Sequence, residues 1–212
     1  ILDHGPDLEK CVWAVRAGLT DIMLDKSSEP YEVNAREVKK AVELAHAVGM
    51  GVEAEFGHVG SGDNYAVDGY SNLTDPDEAV KFVEETGCDF LAVAVGTAHG
   101  VYKGTPEIRF ERLKELREKV PVPLVLHGGS GSGDDNISKA CAMGITKVNL
   151  ANDLYKGMAE NLVNTDFSGN RVYGVYSYLT EGYKQVARHY MDVCGSTGKA
   201  SLYDLSREGL HG

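Results

Sequence analysis

Residues 124–131 read Leu-Val-Leu-His-Gly-Gly-Ser-Gly, and the same design recurs along the chain. The three apolar residues of this stretch are long enough for a buried strand, and a helical pattern follows from Asp134. Between strand and helix lie His127 and a glycine-rich turn. A turn of this kind before a helix can bind phosphate through backbone N–H groups, and an imidazole can bind a metal ion. The alternative is that His127 only ends a strand and the glycines only form a turn.

The charge and composition of the chain exclude several classes of function. The 212 residues carry a net charge of −11, with 32 acidic and 21 basic residues. This balance argues against nucleic acid and anionic membranes as partners, although it allows a phosphorylated small molecule. No apolar run approaches the ~20 residues that span a bilayer. The four cysteines are widely spaced without a C-x-x-C pair, so we expect a cytoplasmic protein without disulfides.

Strand and helix patterns alternate six times with short connections, which predicts a parallel sheet of right-handed βα units. An open doubly wound sheet and a (β/α)8 barrel both fit this pattern. The barrel is favoured because every strand ends in polar residues, whereas an open sheet concentrates its site at one switch point. These residues are Asp3, His4, Asp25, Glu53, Glu55, His99, His127 and Asn149.

The predicted fold is therefore an α/β (β/α)8 TIM barrel in which about two N-terminal βα units are missing before Ile1. We expect residues 1–212 to form a single partial barrel domain with a helical extension over about 164–212. The predicted strands are 1–5, 21–25, 51–56, 90–95, 124–126 and 145–150, and the last predicted helix is 175–193.

Three of the seven histidines, His4, His99 and His127, directly follow predicted strands. Imidazole is a common ligand of Zn²⁺, and a catalytic zinc site needs three protein ligands and one open position. Side chains so far apart in sequence meet only if the barrel forms. The alternative is that each histidine is an ordinary hydrogen-bonding residue.

Two glutamates, Glu53 and Glu55, stand two residues apart on one strand and so point to the same face. Buried carboxylates are costly without a cation or a basic partner. Asp25 could complete a second cation site with Glu55, for a monovalent or divalent ion. The alternative is an internal salt-bridge network, in which Lys147 neutralises a glutamate.

The candidates for phosphate binding lie in turns after three successive strands. They are Gly100 with Lys103, then Gly128, Gly129 and Ser130, and then Asn149, Leu150, Ala151 and Asn152. A long segment rich in Gly, Asp and Asn, residues 57–71, interrupts the compact pattern, and such loops are usually functional.

Several motifs together resemble the class II, metal-dependent ketose-bisphosphate aldolases. They are Asp3-His-Gly5, Val52-Glu-Ala-Glu-Phe-Gly57, Gly96-Thr-Ala-His-Gly-Val-Tyr-Lys103, Leu124–Gly131 and Lys147-Val-Asn-Leu150. The resemblance implies that the chain is a lyase with a barrel fold and that it forms a homodimer or homotetramer. It would reversibly cleave fructose or tagatose 1,6-bisphosphate to dihydroxyacetone phosphate and glyceraldehyde 3-phosphate through a zinc-stabilised enediolate.

The resemblance also implies roles for individual residues. His4, His99 and His127 would bind the catalytic Zn²⁺, and Asp3 would be the acid/base at the C4 hydroxyl. Asp25 and Glu55 match positions near a second cation site, and Asn149 would contact the enediolate. The phosphate and substrate contacts would come from Gly100, Lys103, Gly128, Gly129, Ser130, Asn149, Leu150, Ala151 and Asn152.

Two positions depart from the family pattern. Asp63 stands where the family has the loop glutamate that moves the C3 proton, so the shorter carboxylate puts that role in doubt. Ala151 replaces the aspartate of fructose-specific members and looks more like the tagatose branch.

Three rival functions remain. A Schiff-base aldolase could use Lys147 as nucleophile. A metallohydrolase is a second rival, but its H-x-H strand signature is absent. The third is a non-catalytic sugar-phosphate-binding barrel or an inactive paralogue.

Overall fold

The structure is a computed structural model that describes residues 1–60, 73–102 and 106–200. Within these ranges, strands and helices alternate along the chain. The strands are β1 Leu2–Gly5, β2 Asp21–Leu24, β3 Gly51–Phe56, β4 Phe90–Val93, β5 Leu124–Leu126 and β6 Ile145–Val148. The helices are α1 Leu8–Arg16, α2 Tyr31–His46, α3 Pro76–Thr86, α4 Phe110–Lys119, α5 Asp134–Ala142, α6 Asn152–Val163 and α7 Val175–Val193, with a short 3-10 helix at Gly169–Gly174.

The six strands form one parallel sheet in the order β1-β2-β3-β4-β5-β6. A doubly wound sheet would reverse direction at a switch point, whereas the strands of a (β/α)8 barrel follow one another in sequence order. The sequential order is that of a half-barrel, and the prediction of an α/β TIM-barrel fold is confirmed.

Alternation along the strands separates an apolar face toward the helices from an inner face, to which β3 contributes polar residues. On β3, Val52 and Ala54 belong to the apolar core that the strands share with α1–α5. Glu53 and Glu55 lie between them in sequence and therefore point to the opposite face, where they are fully buried. His127 directly follows β5, whose Leu124 and Leu126 also face the helices, so its side chain shares the inner face of the two glutamates.

Sheet irregularities occur on β1 and β6. Pairing of β1 with β2 steps from Leu2 to Gly5 while β2 advances from Ile22 to Leu24, so β1 carries one extra residue. Pairing of β5 with β6 steps from Ile145 to Lys147 while β5 advances by a single residue. Such bulges reverse the alternation of side chains and re-aim them.

The chain divides into two compact units, Ile1–Asn152 and Asp153–Gly212. In the second unit, α6 and α7 approach closely at two glycines, because a Cβ on Gly182 would lie 2.4 Å from the Gly157 carbonyl oxygen. The prediction of one domain with a helical extension stays a prediction. None of the helices in the described ranges is long and apolar enough to cross a membrane.

The turns after β4 and β5 are held together at Gly128 and Tyr102. Gly128 has φ +70°, and a Cβ there would lie 2.2 Å from the Ala98 carbonyl oxygen, so only glycine fits. The Tyr102 hydroxyl accepts a hydrogen bond from the Ala98 N–H at 2.6 Å. It also lies within donating distance of the carbonyl oxygens of Ala98, at 2.7 Å, and Gly128, at 2.9 Å.

Tyr102→Phe is expected to lower the free energy of unfolding by about 1–3 kcal/mol, because the Ala98 N–H and nearby carbonyls lose their partner. The measurement is urea unfolding followed by fluorescence of Trp13, the chain's single tryptophan. Tyr31→Phe is the matched control, because the Tyr31 hydroxyl donates to Glu85 at an exposed position where water can replace it. Equal losses in the two variants would contradict this account of Tyr102.

Candidate active site

The structure brings the three predicted zinc-binding histidines, His4, His99 and His127, into one cluster on the inner face of the sheet. The ring centroids of His4 and His99 are 4.7 Å apart, those of His4 and His127 are 4.6 Å apart, and those of His99 and His127 are 5.5 Å apart. The His4 Nε2 and His127 Nδ1 atoms approach to 2.9 Å. Three imidazoles from β1 and from the turns after β4 and β5 thus face one another.

The backbone of His4 adopts an unusual conformation that aims its ring at this cluster. His4 has φ +49°, and no other non-glycine residue in the described ranges has a positive φ. Such a conformation costs on the order of 1–3 kcal/mol and is common at functional sites. It coincides with the extra residue of β1, so the bulge and the left-handed backbone together turn the imidazole inward.

Glu55 joins the histidines and completes a set of metal-capable groups. Ligand atoms of His4, Glu55, His99 and His127 all lie within 4.8 Å of one another. In the described part of the chain, two of these buried atoms, Glu55 Oε2 and His99 Nε2, have no hydrogen-bond partner. An unpaired buried polar atom costs about 1–3 kcal/mol, and a cation among these atoms would remove that cost. Nitrogen and carboxylate donors of this kind suit Zn²⁺.

The electrostatics of the cluster also favour a bound cation. Burial, and then the charge of Asp25, raise the pKa of Glu55 to about 8. Burial and the neighbouring histidines lower the pKa of His99 to about 4, so its ring stays neutral as a ligand must. A divalent ion would supply the positive charge that lets Glu55 ionise beside Asp25.

Asp25 holds the ring of His4 from the side opposite to the cluster. Its Oδ2 lies 2.7 Å from His4 Nδ1, and this hydrogen bond raises the pKa of His4 despite burial. Burial would raise the pKa of Asp25, but the hydrogen bonds with His4 and Ser27 lower it below its usual range. The expectation that Asp25 and Glu55 share a second cation stays a prediction.

A second network surrounds Glu53, the other buried carboxylate of β3. Its Oε1 lies 2.8 Å from His127 Nε2, and its Oε2 accepts a hydrogen bond from Lys147 Nζ at 2.7 Å. Burial would raise the pKa of Glu53, but the hydrogen bonds from His127 and Lys147 lower it. Lys147 therefore neutralises a glutamate, as one sequence interpretation expected.

Asp3 and Asn149 lie at the more open side of the cluster. The Asp3 side chain is 52% exposed, and its Oδ1 is 3.9 Å from His4 Nε2. The Asn149 Nδ2 donates to Asp3 Oδ1 at 3.1 Å and is 3.1 Å from His127 Nε2. A carboxylate that reaches water and adjoins the histidines can exchange protons with a small molecule bound there.

The glycine-rich turns after β5 and β6 lie against each other. The Gly129 N–H donates to the Asn149 carbonyl at 3.0 Å, and the Ala151 N–H donates to Ser130 Oγ at 3.1 Å. A Cβ on Gly129 would lie 2.7 Å from Val148 Cγ1. These N–H groups are thus engaged within the protein, and their predicted use for phosphate stays a prediction.

The structure describes some of the remaining predicted site residues but not others. Gly100 has φ +93°, and no described residue lies within 4 Å of where its Cβ would be. Leu150 and Asn152 follow β6 on either side of Ala151. Asp63 and Lys103 lie outside the described residues.

Sequence reasoning missed Ser27 and left His58 without an assigned role, yet both contact the cluster. Ser27 Oγ donates to Glu55 Oε1 at 2.9 Å and lies 3.0 Å from His58 Nδ1. The Val59 N–H also donates to Glu55 Oε1, at 2.8 Å. The only signal in the sequence is that Ser27 closely follows Asp25 at the end of a strand.

Comparison with known proteins gives a consistent result. The family model described as "Fructose-bisphosphate aldolase class-II" matches residues 1–199. The chain is also similar to the YdjI aldolase of Escherichia coli K12, at 37% identity and a TM-score of 0.82, over 93% of this chain and 69% of that one.

Two further solved structures are similar. A candidate fructose-1,6-biphosphate aldolase of Coccidioides immitis is 30% identical with a TM-score of 0.85, over 95% of this chain and 72% of that one. The fructose-bisphosphate aldolase of Campylobacter jejuni is 23% identical with a TM-score of 0.63, over 87% of this chain and 64% of that one, and supports the fold alone. On its family match and its likeness to YdjI, this chain belongs to the class II fructose-bisphosphate aldolase family.

Proposed function

We propose that this chain is a zinc-dependent ketose-bisphosphate aldolase. It would reversibly cleave fructose or tagatose 1,6-bisphosphate to dihydroxyacetone phosphate and glyceraldehyde 3-phosphate. Class II aldolases are metal-dependent lyases that act on small sugar phosphates. The observation that carries the proposal is the four-residue cluster, in which Glu55 Oε2 and His99 Nε2 are buried without a hydrogen-bond partner among the described residues.

Under this proposal, His4, His99 and His127 hold the zinc, with Glu55 beside them. When bound, zinc supplies a Lewis acid that stabilises negative charge on the ketose oxygens. Asp25 orients His4 by hydrogen bonding to Nδ1, which leaves Nε2 facing the cluster. Glu53 does the same for His127 through Nε2.

Asp3 is the proposed acid/base for the cleavage. In the cleavage direction, its carboxylate takes the proton of the C4 hydroxyl while the C3–C4 bond breaks, and that bond's electron pair moves toward the C2 carbonyl. A proton is then returned to C3 to give dihydroxyacetone phosphate, the step for which Asp63 is proposed. Asn149, whose Nδ2 lies 3.1 Å from Asp3 Oδ1, would donate to an oxygen of the substrate near the reacting carbons.

The phosphate contacts are proposed at the turns after β4, β5 and β6. They would come from Gly100, Lys103, Gly128, Gly129, Ser130, Leu150, Ala151 and Asn152. The support is that Tyr102 and Gly128 hold the first two turns together and that Ser130 links the last two. Most of the glycine-rich segment 57–71 lies outside the described residues. We further propose that the enzyme is a cytoplasmic homodimer or homotetramer, with residues 1–212 in one domain.

Removal of metal provides the first test of this function. Exhaustive treatment with EDTA is expected to abolish cleavage of the ketose bisphosphate, and added Zn²⁺ is expected to restore it. Release of dihydroxyacetone phosphate is measured, with zinc-saturated EDTA as the control. Full activity in protein shown to be free of metal would contradict the metal mechanism.

Asp3→Asn tests the acid/base role. The variant is expected to lose about 10²–10⁴-fold in kcat, because the amide cannot accept the C4 proton. Zinc content, measured by metal analysis, should stay at the wild-type level. Asp135→Asn, an exposed position on α5, is the control for the charge change. Turnover close to wild type in the Asp3 variant would remove this residue from its role.

Ala151 generates a prediction about the C4 configuration of the substrate. We expect kcat/KM to be at least about 10-fold higher for tagatose than for fructose 1,6-bisphosphate, a ratio typical of one altered contact. Ala151→Asp is expected to lower the ratio of the two kcat/KM values, tagatose over fructose. Ala159→Asp, on the exposed face of α6, should leave this ratio unchanged. A preference of the wild-type protein for the fructose ester would contradict this assignment.

A further inference from the structure

Lys147 lies at the centre of the network behind the histidine cluster, and the proposed reaction gives it no role. Its Nζ donates to Glu53 Oε2 and to Asn149 Oδ1, each at 2.7 Å. Its side chain is 33% exposed, whereas Glu53 is fully buried. One ammonium therefore contacts both a buried carboxylate and the amide that lies beside Asp3.

The bulge in β6 is what turns Lys147 toward this network. Ile145 belongs to the apolar core on the helix side of the sheet. Regular alternation would send Lys147, two residues later, to that same side. The extra residue at Thr146 reverses the alternation, so that Lys147 points to the inner face and Val148 returns to the core.

The contact with Lys147 fixes which way the Asn149 amide faces. An ammonium only donates hydrogen bonds, so the atom that meets it must be the oxygen of the amide. The amide nitrogen then points to Asp3 Oδ1, 3.1 Å away. The reverse orientation would set nitrogen against nitrogen at Lys147 and oxygen against carboxylate at Asp3.

Through Glu53, the same lysine acts on His127. The Glu53 carboxylate lies between Lys147 Nζ and His127 Nε2 and accepts hydrogen bonds from both. When Nε2 carries the ring proton, the lone pair of Nδ1 faces His4 Nε2, 2.9 Å away, and Glu55. A carboxylate behind a histidine is known to fix both the tautomer and the orientation of the ring.

We propose that Lys147 is a positioning residue of this site. It sets the orientation of the Asn149 amide directly and the orientation of the His127 ring through Glu53. The inference rests on the proposed function, in which Asn149 contacts substrate and His127 binds metal. It also differs from a Schiff-base role, since both neighbours of Nζ accept its N–H groups.

The test compares Lys147→Met, which removes charge and donors, with Lys147→Arg, which keeps both. Lys39→Met, an exposed lysine on α2, is the control for loss of charge. The readouts are the zinc dissociation constant, by competition with a chromogenic chelator, and kcat in zinc-saturated enzyme. Both are measured also in an Asn149→Ala background.

We expect Lys147→Met to weaken zinc binding about 10-fold or more, the range typical of lost outer partners of a ligand. Its kcat should fall at least about 10-fold alone but less than about 2-fold in the Asn149→Ala background, because groups that act as one unit are not additive. Lys147→Arg should recover most of both properties. If Lys147→Met does not fold, it is combined with Glu53→Gln, which removes the unpaired carboxylate, and the double variant should then bind zinc as tightly as Glu53→Gln alone, because Lys147 reaches His127 only through Glu53.

Unchanged zinc affinity in Lys147→Met overturns the inference, as does an equal loss of kcat with and without Asn149. Borohydride trapping of substrate on Lys147 also overturns it. If the wild-type chain cleaves no ketose bisphosphate, the proposed function fails while the zinc measurement still tests the link from Lys147 to His127. If the wild type cleaves substrate and the two readouts fail, only this inference is lost.

Discussion

The burial of two carboxylates on β3 is the constraint on which the rest of the site depends. Glu53 and Glu55 are both fully buried, and a buried charge is costly unless it is paired and hydrogen-bonded. Glu53 has a permanent cation in Lys147, whereas Glu55 meets histidines, a serine and a backbone N–H. The strand β3 therefore presents Glu53, which is paired with a lysine of the chain, and Glu55, which is placed to bind a metal ion.

The parallel sheet explains how groups so far apart in sequence reach those carboxylates. His4 and His127 are separated by 123 residues, yet they touch because the carboxyl ends of parallel strands lie at one edge. Two local irregularities refine this placement: the extra residue of β1 turns His4 inward and that of β6 turns Lys147 inward. The fold brings the strands together, and the bulges select which side chains face the site.

Much of the fold and part of the site could be predicted from the pattern of apolar and polar residues in the sequence. The bounds of β3, β5 and α7 follow from apolar runs and glycines, and the pairing of Glu53 with Glu55 on one face follows from their spacing. The pairing of Lys147 with a glutamate was one interpretation of the sequence, but the bulge that makes it possible is not visible there. Strict alternation from Ile145 would place Lys147 on the helix side, whereas the structure places the two residues on opposite faces. Contacts made by turns, such as that of Ser27 with Glu55, depend on loop geometry that residue patterns do not encode.

The Lys147–Glu53 ion pair also constrains the register of β6. A slip of one residue would turn Lys147 toward the apolar helix layer and leave Glu53 buried with no ammonium beside it, at a cost of several kcal/mol. The same slip would bring Val148 to the inner face, away from the core that it contacts. Because an incorrect register is penalised on both faces, the ion pair makes the bulged arrangement the favoured one. Lys147 thus both pairs with the buried Glu53 carboxylate and orients Asn149 beside Asp3.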